Sequence, residues 1–230
     1  MRYPTYGELR QRIQKELEIE DGKFISSSEL LSYFNQAVDD AEQTIHTLFE
    51  DYFLTSAALP LVAGQSEYAL PDDIYASKIR SVIYTKGTTS YEIERIRDMR
   101  KFKEIALEQV SPSTDGYRYI LKNPSGADGI KLVLYPAARE TDSAAVTIWY
   151  LRNATRAESD SSVCDIPEFS SYVVQFVKVM VMTKEMHPGL PLAIQTLEYF
   201  RKQMIETLSE MVPDGANKIE MDLTLYEEMT

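Results

Sequence analysis

Few residues of this sequence could do chemistry, and an adjacent pair of aspartates stands out among them. Asp72 and Asp73 follow Leu70-Pro71 and precede an apolar run, within the stretch SEYALPDDIYASKIRSV. Two carboxylates can share general acid and base work, but neighbours in a chain seldom face one reaction centre. Directly after Leu-Pro, aspartates are also good turn and cap residues. We therefore interpret Pro71, Asp72 and Asp73 as a structural turn leading into a strand at residues 78–85.

Cysteine and histidine offer little further chemistry. Cys164 is the only cysteine, so an internal disulfide cannot form and a nucleophilic role would need a nearby base. We interpret it as a small, semi-apolar filler. His46 and His187 are too few for a His-rich metal site, and the Gly-rich phosphate loops and the Cys-x-x-Cys spacing are absent from the sequence. We expect no catalytic residues, no cofactor and no metal.

The charge of the chain argues against tight binding to DNA. Its 24 Lys and Arg residues against 36 Asp and Glu residues give a formal net charge of −12. A protein that holds DNA phosphates needs the opposite sign. No apolar run approaches the roughly 18 residues of a membrane span, and the segment MRYPTYGELR lacks the apolar core of a signal peptide. We expect a protein of a cytosol-like compartment that does not enter a membrane.

The first fifty residues have helical periodicity. Thr5 and Glu8 form a capping-box pattern before a helical run that reaches Leu17. Residues 28–53 repeat apolar side chains at three- and four-residue steps, which predicts a second, longer helix. The opposite face of that helix is polar, as is typical of solvated surface; its residues are Glu29, Gln36, Asp39, Asp40, Gln43 and Glu50.

The pattern then changes to period two and later returns to the helical period. Alternating segments separated by Gly, Ser, Asp and Pro clusters predict antiparallel strands; they are AALPLVAGQSEYALP, KIRSVIYT, SYEIERI, YRYILKN, IKLVLYP and AVTIWYL. A short helix over about residues 98–108 interrupts them. Helical periodicity resumes at residues 166–186, where Pro167 and Glu168 suit a helix start, and at residues 191–211.

These segments predict an α+β fold. Residues 1–54 and 166–212 form an α-helical bundle, and residues 55–151 form an inserted antiparallel β-rich domain with a short helix. Residues 213–230 form an extended C-terminal tail, because VPDG ends the last helix and apolar residues then recur mainly at every second position.

The order of the segments resembles one known family. SEYALPDDIYASKIRSVIY is similar to the Tyr-x-Leu-Pro-x-Asp lead into a strand in head-to-tail adaptor (connector) proteins of tailed bacteriophages. VTIWYLRNATRAESDSSVCDIPEFSSYVVQFVKVMVMTKE resembles a later block of that family, in which an aromatic strand, an acidic loop and an Ile-Pro helix start follow one another. TYGELRQRIQ and the helix at 28–53 match in order and length. The resemblance covers roughly residues 6–212, and neither Cys164 nor the acidic tail has a place in the pattern.

The resemblance implies a structural virion protein without catalytic residues. Such proteins assemble as a ring, commonly dodecameric, beneath the portal at the head–tail interface, extend the DNA channel and provide a platform for the tail. The implied partners are other copies of the chain, the portal protein and a tail or nozzle protein, in a virion assembled in the host bacterial cytoplasm. DNA would pass through without being tightly bound, since an acidic wall repels it. Candidate wall residues are Asp39, Asp40, Glu50, Glu158 and Asp160.

The tail is the candidate for docking to the portal, because a terminal arm often reaches the portal in the family that the chain resembles. An extended segment with one apolar edge can add to a partner's sheet or fill its groove. The candidate anchors are Ile219, Met221, Leu223 and Tyr226. A merely disordered acidic tail is the alternative.

Two other functions remain open. The β-rich segment could be a ligand-binding module, for instance for carbohydrate, or part of a tail component, because the 15 tyrosines of the chain offer stacking surfaces. An Asp-based hydrolase would use Asp72 and Asp73 on a sugar or a phosphate. Aromatic side chains exposed on one sheet face would favour the module, and a pocket holding both carboxylates would favour the enzyme.

Overall fold

Helices and strands separate into two units along the chain. The computed structural model describes residues 3–19, 24–98, 100, 116–123 and 129–211, and every structural statement below concerns these residues. One compact unit combines Met1–Tyr52 with Ala154–Thr230, and the other is Phe53–Asn153. Among the described residues, four α-helices lie in the first unit and eight strands lie in the second, so the predicted α+β class is confirmed.

The helical unit contains α1 (Tyr6–Leu17), α2 (Ser27–Leu48), α3 (Ser170–Glu185) and α4 (Leu190–Met211). Helix α3 packs against each of the other three. The buried side chains are mostly apolar and aromatic, and the rings of Tyr6 and Phe34 meet edge to face with centroids 5.3 Å apart. None of the helices in the described part of the chain is long and apolar enough to cross a membrane.

Local signals set the helix ends. Thr5 and Glu8 make both bonds of the capping box at the start of α1, and the Ser26 hydroxyl accepts from the Glu29 N–H at the start of α2. The helix predicted at 28–53 instead ends at Leu48, since Phe49 leaves helical geometry and a short 3₁₀ turn, Glu50–Phe53, follows. The apolar spacing continues through this turn, so periodicity alone did not reveal the break.

The C-terminal helices also differ slightly from their predicted bounds. A 3₁₀ turn, Pro167–Phe169, precedes α3, and Pro167 is tolerated there because a first-turn N–H has no helical partner. Met186 ends α3 in the left-handed conformation. The predicted helix over about residues 98–108 lies outside the described residues, apart from Asp98 and Arg100, and the tail at 213–230 lies wholly outside them.

The β-rich unit contains two four-stranded sheets. The strands are β1 (Leu54–Leu61), β2 (Glu67–Ala69), β3 (Ile74–Lys86), β4 (Thr89–Glu92), β5 (Glu94–Arg95), β6 (Arg118–Lys122), β7 (Lys131–Tyr135) and β8 (Asp142–Arg152). One sheet has the order β1-β8-β3-β4 and the other β2-β7-β6-β5. All pairs are antiparallel except β5 with β6.

One hydrophobic core joins the two sheets. It takes Val82, Val146 and Ile148 from the first sheet and Leu132 and Leu134 from the second, so the inner faces pack together. The predicted strand SYEIERI is in fact two strands, because the chain passes from the first sheet to the second within it. Period two continues through this crossing since both sheets face the same core.

Candidate functional site

The turn at Pro71 to Asp73 connects the start of β3 to the end of β8 through hydrogen bonds. The Ile74 N–H donates to the Pro71 carbonyl at a distance of 3.2 Å, which closes the turn directly before β3. The Asp73 carbonyl accepts from the backbone N–H of Asn153 at 2.6 Å and from its side-chain amide at 3.0 Å. The start of β3 is thereby tied to the residue that follows β8.

The Asp73 carboxylate binds a tyrosine. It accepts the hydroxyl of Tyr150, on β8, at 2.8 Å. Burial, and then this bond to a carboxylate, raise the pKa of Tyr150 to about 12. Asp72 and Asp73 are both exposed. The contacts of Asp73 with Tyr150 and Asn153 are those of a structural residue.

The strand after this turn begins earlier than its predicted start at residue 78. Strand β3 starts at Ile74, but its pairing with β8 shifts register between Ile74 and Ile79. Ala76 and Ser77, within the shift, both have left-handed backbones, with φ of 46° and 56°. The alternation of the sequence begins only after this bulge, which explains the difference.

Most of the acidic residues proposed for a channel wall have partners. Asp39 pairs with Arg156, and Asp40 accepts the hydroxyl of Tyr172. Asp160 pairs with Arg10 at 2.8 Å, with 44% of its side chain exposed. Glu50 also has a partner and is half-buried in the 3₁₀ turn, whereas Glu158 is exposed.

Glu42 is a buried polar residue that sequence reasoning missed. It is only 5% exposed on α2 and accepts the Ala154 N–H at 2.5 Å and the Arg156 guanidinium at 2.7 Å. Nε2 of His46, also buried, lies 3.8 Å from the same carboxylate. The contacts fix the segment after β8 to α2. Period analysis could not find the contacts with Ala154 and Arg156, because these residues lie more than a hundred positions from Glu42.

The loop before α3 pairs with the N-terminus. The Tyr6 N–H donates to the Ser162 carbonyl and the Gly7 N–H to the Asp160 carbonyl, both over 2.9 Å, and the Cys164 N–H donates to the Pro4 carbonyl over 2.9 Å. A Cβ on Gly7 would lie 3.0 Å from the Asp160 oxygen, so glycine permits this close approach.

Cys164 and His187 each have a local structural role. Cys164 is fully buried, and burial raises the pKa of its thiol, which makes it a poor nucleophile. The His187 Nδ1 accepts the Gly189 N–H at 3.0 Å in the turn between α3 and α4. Among the described residues, no cluster of His, Cys, Asp and Glu could hold a metal ion.

A cleft of about 350 Å³ lies between the start of α3 and α4. Carboxylates and aromatic rings line it, and one of them, Glu168, accepts the Tyr52 hydroxyl at 2.7 Å. Glu206 and Glu210 lie one turn apart on its α4 side, a spacing that is visible in the sequence.

The comparisons with known proteins identify one family. A protein-family model described as SU10 adaptor protein matches residues 4–220. The matched region runs through both the helical and the β-rich unit. No curated protein shows a significant match to the chain.

Proposed function

The chain belongs to the SU10 adaptor protein family, a family of phage head-to-tail adaptors, and we propose that it forms a ring beneath the portal. The ring, of twelve copies, extends the DNA channel and provides the platform to which a tail or nozzle protein attaches. The family match over residues 4–220 carries this proposal, because it spans nearly the whole chain. The protein acts at the head–tail interface of the virion after synthesis in the host cytoplasm.

The helical unit is the proposed frame of each ring subunit. Its helices come from both ends of the chain, and α3 packs against α1, α2 and α4. We propose that these four helices act as one bundle into which the β-rich unit is inserted. The buried hydrogen bond from the Ala154 N–H to Glu42 supports a rigid frame, because removing one partner would leave the other unsatisfied.

The proposed channel wall is acidic. The net charge of −12 supports passage of DNA without adhesion. Glu158 is exposed, whereas Arg156 and Arg10 offset part of the charge of Asp39 and Asp160. Glu158 is therefore the first candidate for a residue facing DNA. Duplex DNA should bind the isolated protein weakly at every salt concentration, whereas tight, salt-sensitive binding would contradict a repelling wall.

The C-terminal tail is the proposed portal-docking segment, with Ile219, Met221, Leu223 and Tyr226 as its anchors. Alternation of apolar and acidic residues suits an extended peptide in a groove or at a sheet edge of the portal. Deletion of residues 213–230 should leave a folded protein that no longer joins portals. Changing Leu223 and Tyr226 to serine should weaken the complex, while changing Asp222 and Glu227 to their amides should not. Undiminished assembly of the truncated protein would refute this role.

Electron microscopy of the protein mixed with purified portal tests the proposal directly. A ring of the chain on one end of the portal, coaxial with its channel, is the expected result. Binding of single copies at the portal periphery, or no binding at any protein concentration, would refute it.

A further inference from the structure

The outer face of the β1-β8-β3 layer carries the only tryptophan of the chain. Trp149 on β8 lies opposite Ser56 of β1 on one side and Ser81 of β3 on the other. Two residues earlier, Thr147 lies between Ala58 and Ile83. Because directly opposed residues share a face of a sheet, these six side chains form one surface, which we call the Trp149 face.

Side chains on the two faces of β8 differ in burial near Trp149. The neighbours of Trp149 along β8, Ile148 and Tyr150, are buried in the core, whereas Trp149 is 39% exposed. Ser56 and Ala58 are also exposed, and Ser81, Ile83 and Thr147 are half-buried. The indole of Trp149 thus has a serine opposite it on each neighbouring strand.

The Trp149 face carries no charge, unlike the outer surfaces of the helices. Helices α1 and α4 expose Arg12 and Lys202, for example. Among the described residues, charged side chains adjoin the six at two positions: Arg80 lies at the bulge beside Ser81, and exposed Glu92 on β4 lies opposite Ile83. An aromatic centre with a charged rim is the composition of protein–protein interfaces, where tryptophan is enriched among the residues that dominate binding.

We propose that the Trp149 face is a contact surface for a second copy of this chain, an inference that rests on the proposed ring. Two copies each carry a charge of −12, so they approach with least repulsion where a surface is uncharged. DNA is a poor occupant, because none of the six residues offers a cation to a phosphate. A ring joins two different surfaces of each subunit, so the Trp149 face contacts another part of the neighbouring copy.

Trp149 itself provides the test, because it is the only tryptophan of the chain. With portal present, the emission of the same mixture made with Trp149→Phe is subtracted to remove the contribution of the portal. Full-length protein is followed by sedimentation velocity and by emission as the concentration rises, alone and with portal present. Assembly should shift the emission to shorter wavelength and protect it from acrylamide quenching. Trp149→Glu should weaken self-assembly by about 30-fold or more, the effect expected of an aromatic hot spot. Val62→Glu, at a position in the same unit that is 46% exposed, should not change assembly. Circular dichroism melting checks that both variants fold.

Each other outcome overturns the proposal in a distinct way. Two results together would refute the Trp149 face and leave the adaptor function standing: acrylamide still quenches Trp149 in wild-type rings, and the Trp149→Glu variant assembles normally. An emission shift that requires the portal, a tail protein or an oligosaccharide would assign the face to that partner instead. No self-assembly at any concentration, with or without portal, would refute both proposals.

Discussion

Asn35 and Ala157 are 122 positions apart in the chain, yet they make two hydrogen bonds to each other. The Asn35 amide donates to the Ala157 carbonyl over 3.1 Å, and its oxygen accepts the Ala157 N–H at 2.7 Å. One side chain thus satisfies both backbone groups of a buried residue, as a neighbouring strand would. This pairing holds the segment before α3 against α2.

Asn35→Ala should therefore destabilise the helical unit. The change gains at most about 0.7 kcal/mol in helix propensity. It leaves two buried backbone groups without partners, at a cost of about 1–3 kcal/mol for each group. The loss should dominate and appear as a lower midpoint in urea. Gln36→Ala, on the exposed face one position along, is the control and should stay within about 0.5 kcal/mol of the wild type. Equal midpoints for the two variants would contradict the structural role of Asn35.

Glu42→Gln should also destabilise the protein, by about 1–3 kcal/mol. The amide keeps the volume of the carboxylate but weakens the bonds to the Ala154 N–H and to Arg156. Glu158→Gln removes the same charge from an exposed site and is the matched control, with an expected effect below about 0.5 kcal/mol. Denaturant unfolding of both variants measures the difference. Similar losses at the two sites would mean that net charge, not the buried contact, sets stability.

The parts of this fold that the sequence predicted depend on local signals. The capping box at Thr5 and the turn after Pro71 involve residues within three positions of each other, so their chemistry is visible in a short window. The partner of Asp73 could not be predicted, because Tyr150 is 77 positions away and one of many tyrosines. For the same reason the sequence did not reveal the buried contacts of Glu42, whose partners Ala154 and Arg156 follow β8.

The crossing between the sheets shows a second limit. Tyr91 and Glu92 pair with β3, whereas Glu94 and Arg95 pair with β6 in the other sheet. Ile93 lies between the two pairs and is buried, so alternation continues unbroken while the pairing partner changes. Side-chain periodicity reports which face meets the core, and it carries no information on which sheet holds the backbone.

Ser77→Gly should stabilise the β-rich unit. Ser77 has a φ of 56°, a conformation that costs a residue with a Cβ about 1–2 kcal/mol. Glycine removes this cost but loses about 0.5–1 kcal/mol of backbone entropy on folding. The net gain should be about 0.5 kcal/mol, measured by thermal unfolding. Ala144→Gly on β8 is the control without a left-handed backbone, and there only the entropic loss should remain. A loss at both positions would show that the bulge is not strained.

The bond between Tyr150 and Asp73 should give the protein a specific sensitivity to alkali. The pKa of Tyr150 rises from 10.0 to about 12, first through burial and then through Asp73. The folded state therefore holds this proton more tightly than the unfolded state. The stabilisation is complete below pH 10 and is lost as the pH rises from about 10 through about 12. Tyr150→Phe should have a melting temperature that falls less steeply over this range than that of the wild type.

Other tyrosines with raised pKa values, among them Tyr6, Tyr84 and Tyr172, also contribute to alkaline unfolding, so the slope of one protein alone is not diagnostic. The difference in the pH dependence of the melting temperature between wild type and Tyr150→Phe isolates the contribution of the Tyr150 hydroxyl. Tyrosinate absorbance, followed against pH, should lose one late-titrating group in that variant. Asp73→Asn keeps an acceptor but removes the charge, so the same group should titrate earlier, though still above its ordinary value because burial remains. An unchanged titration in Asp73→Asn would show that burial alone raises the pKa and that the aspartate holds only the backbone.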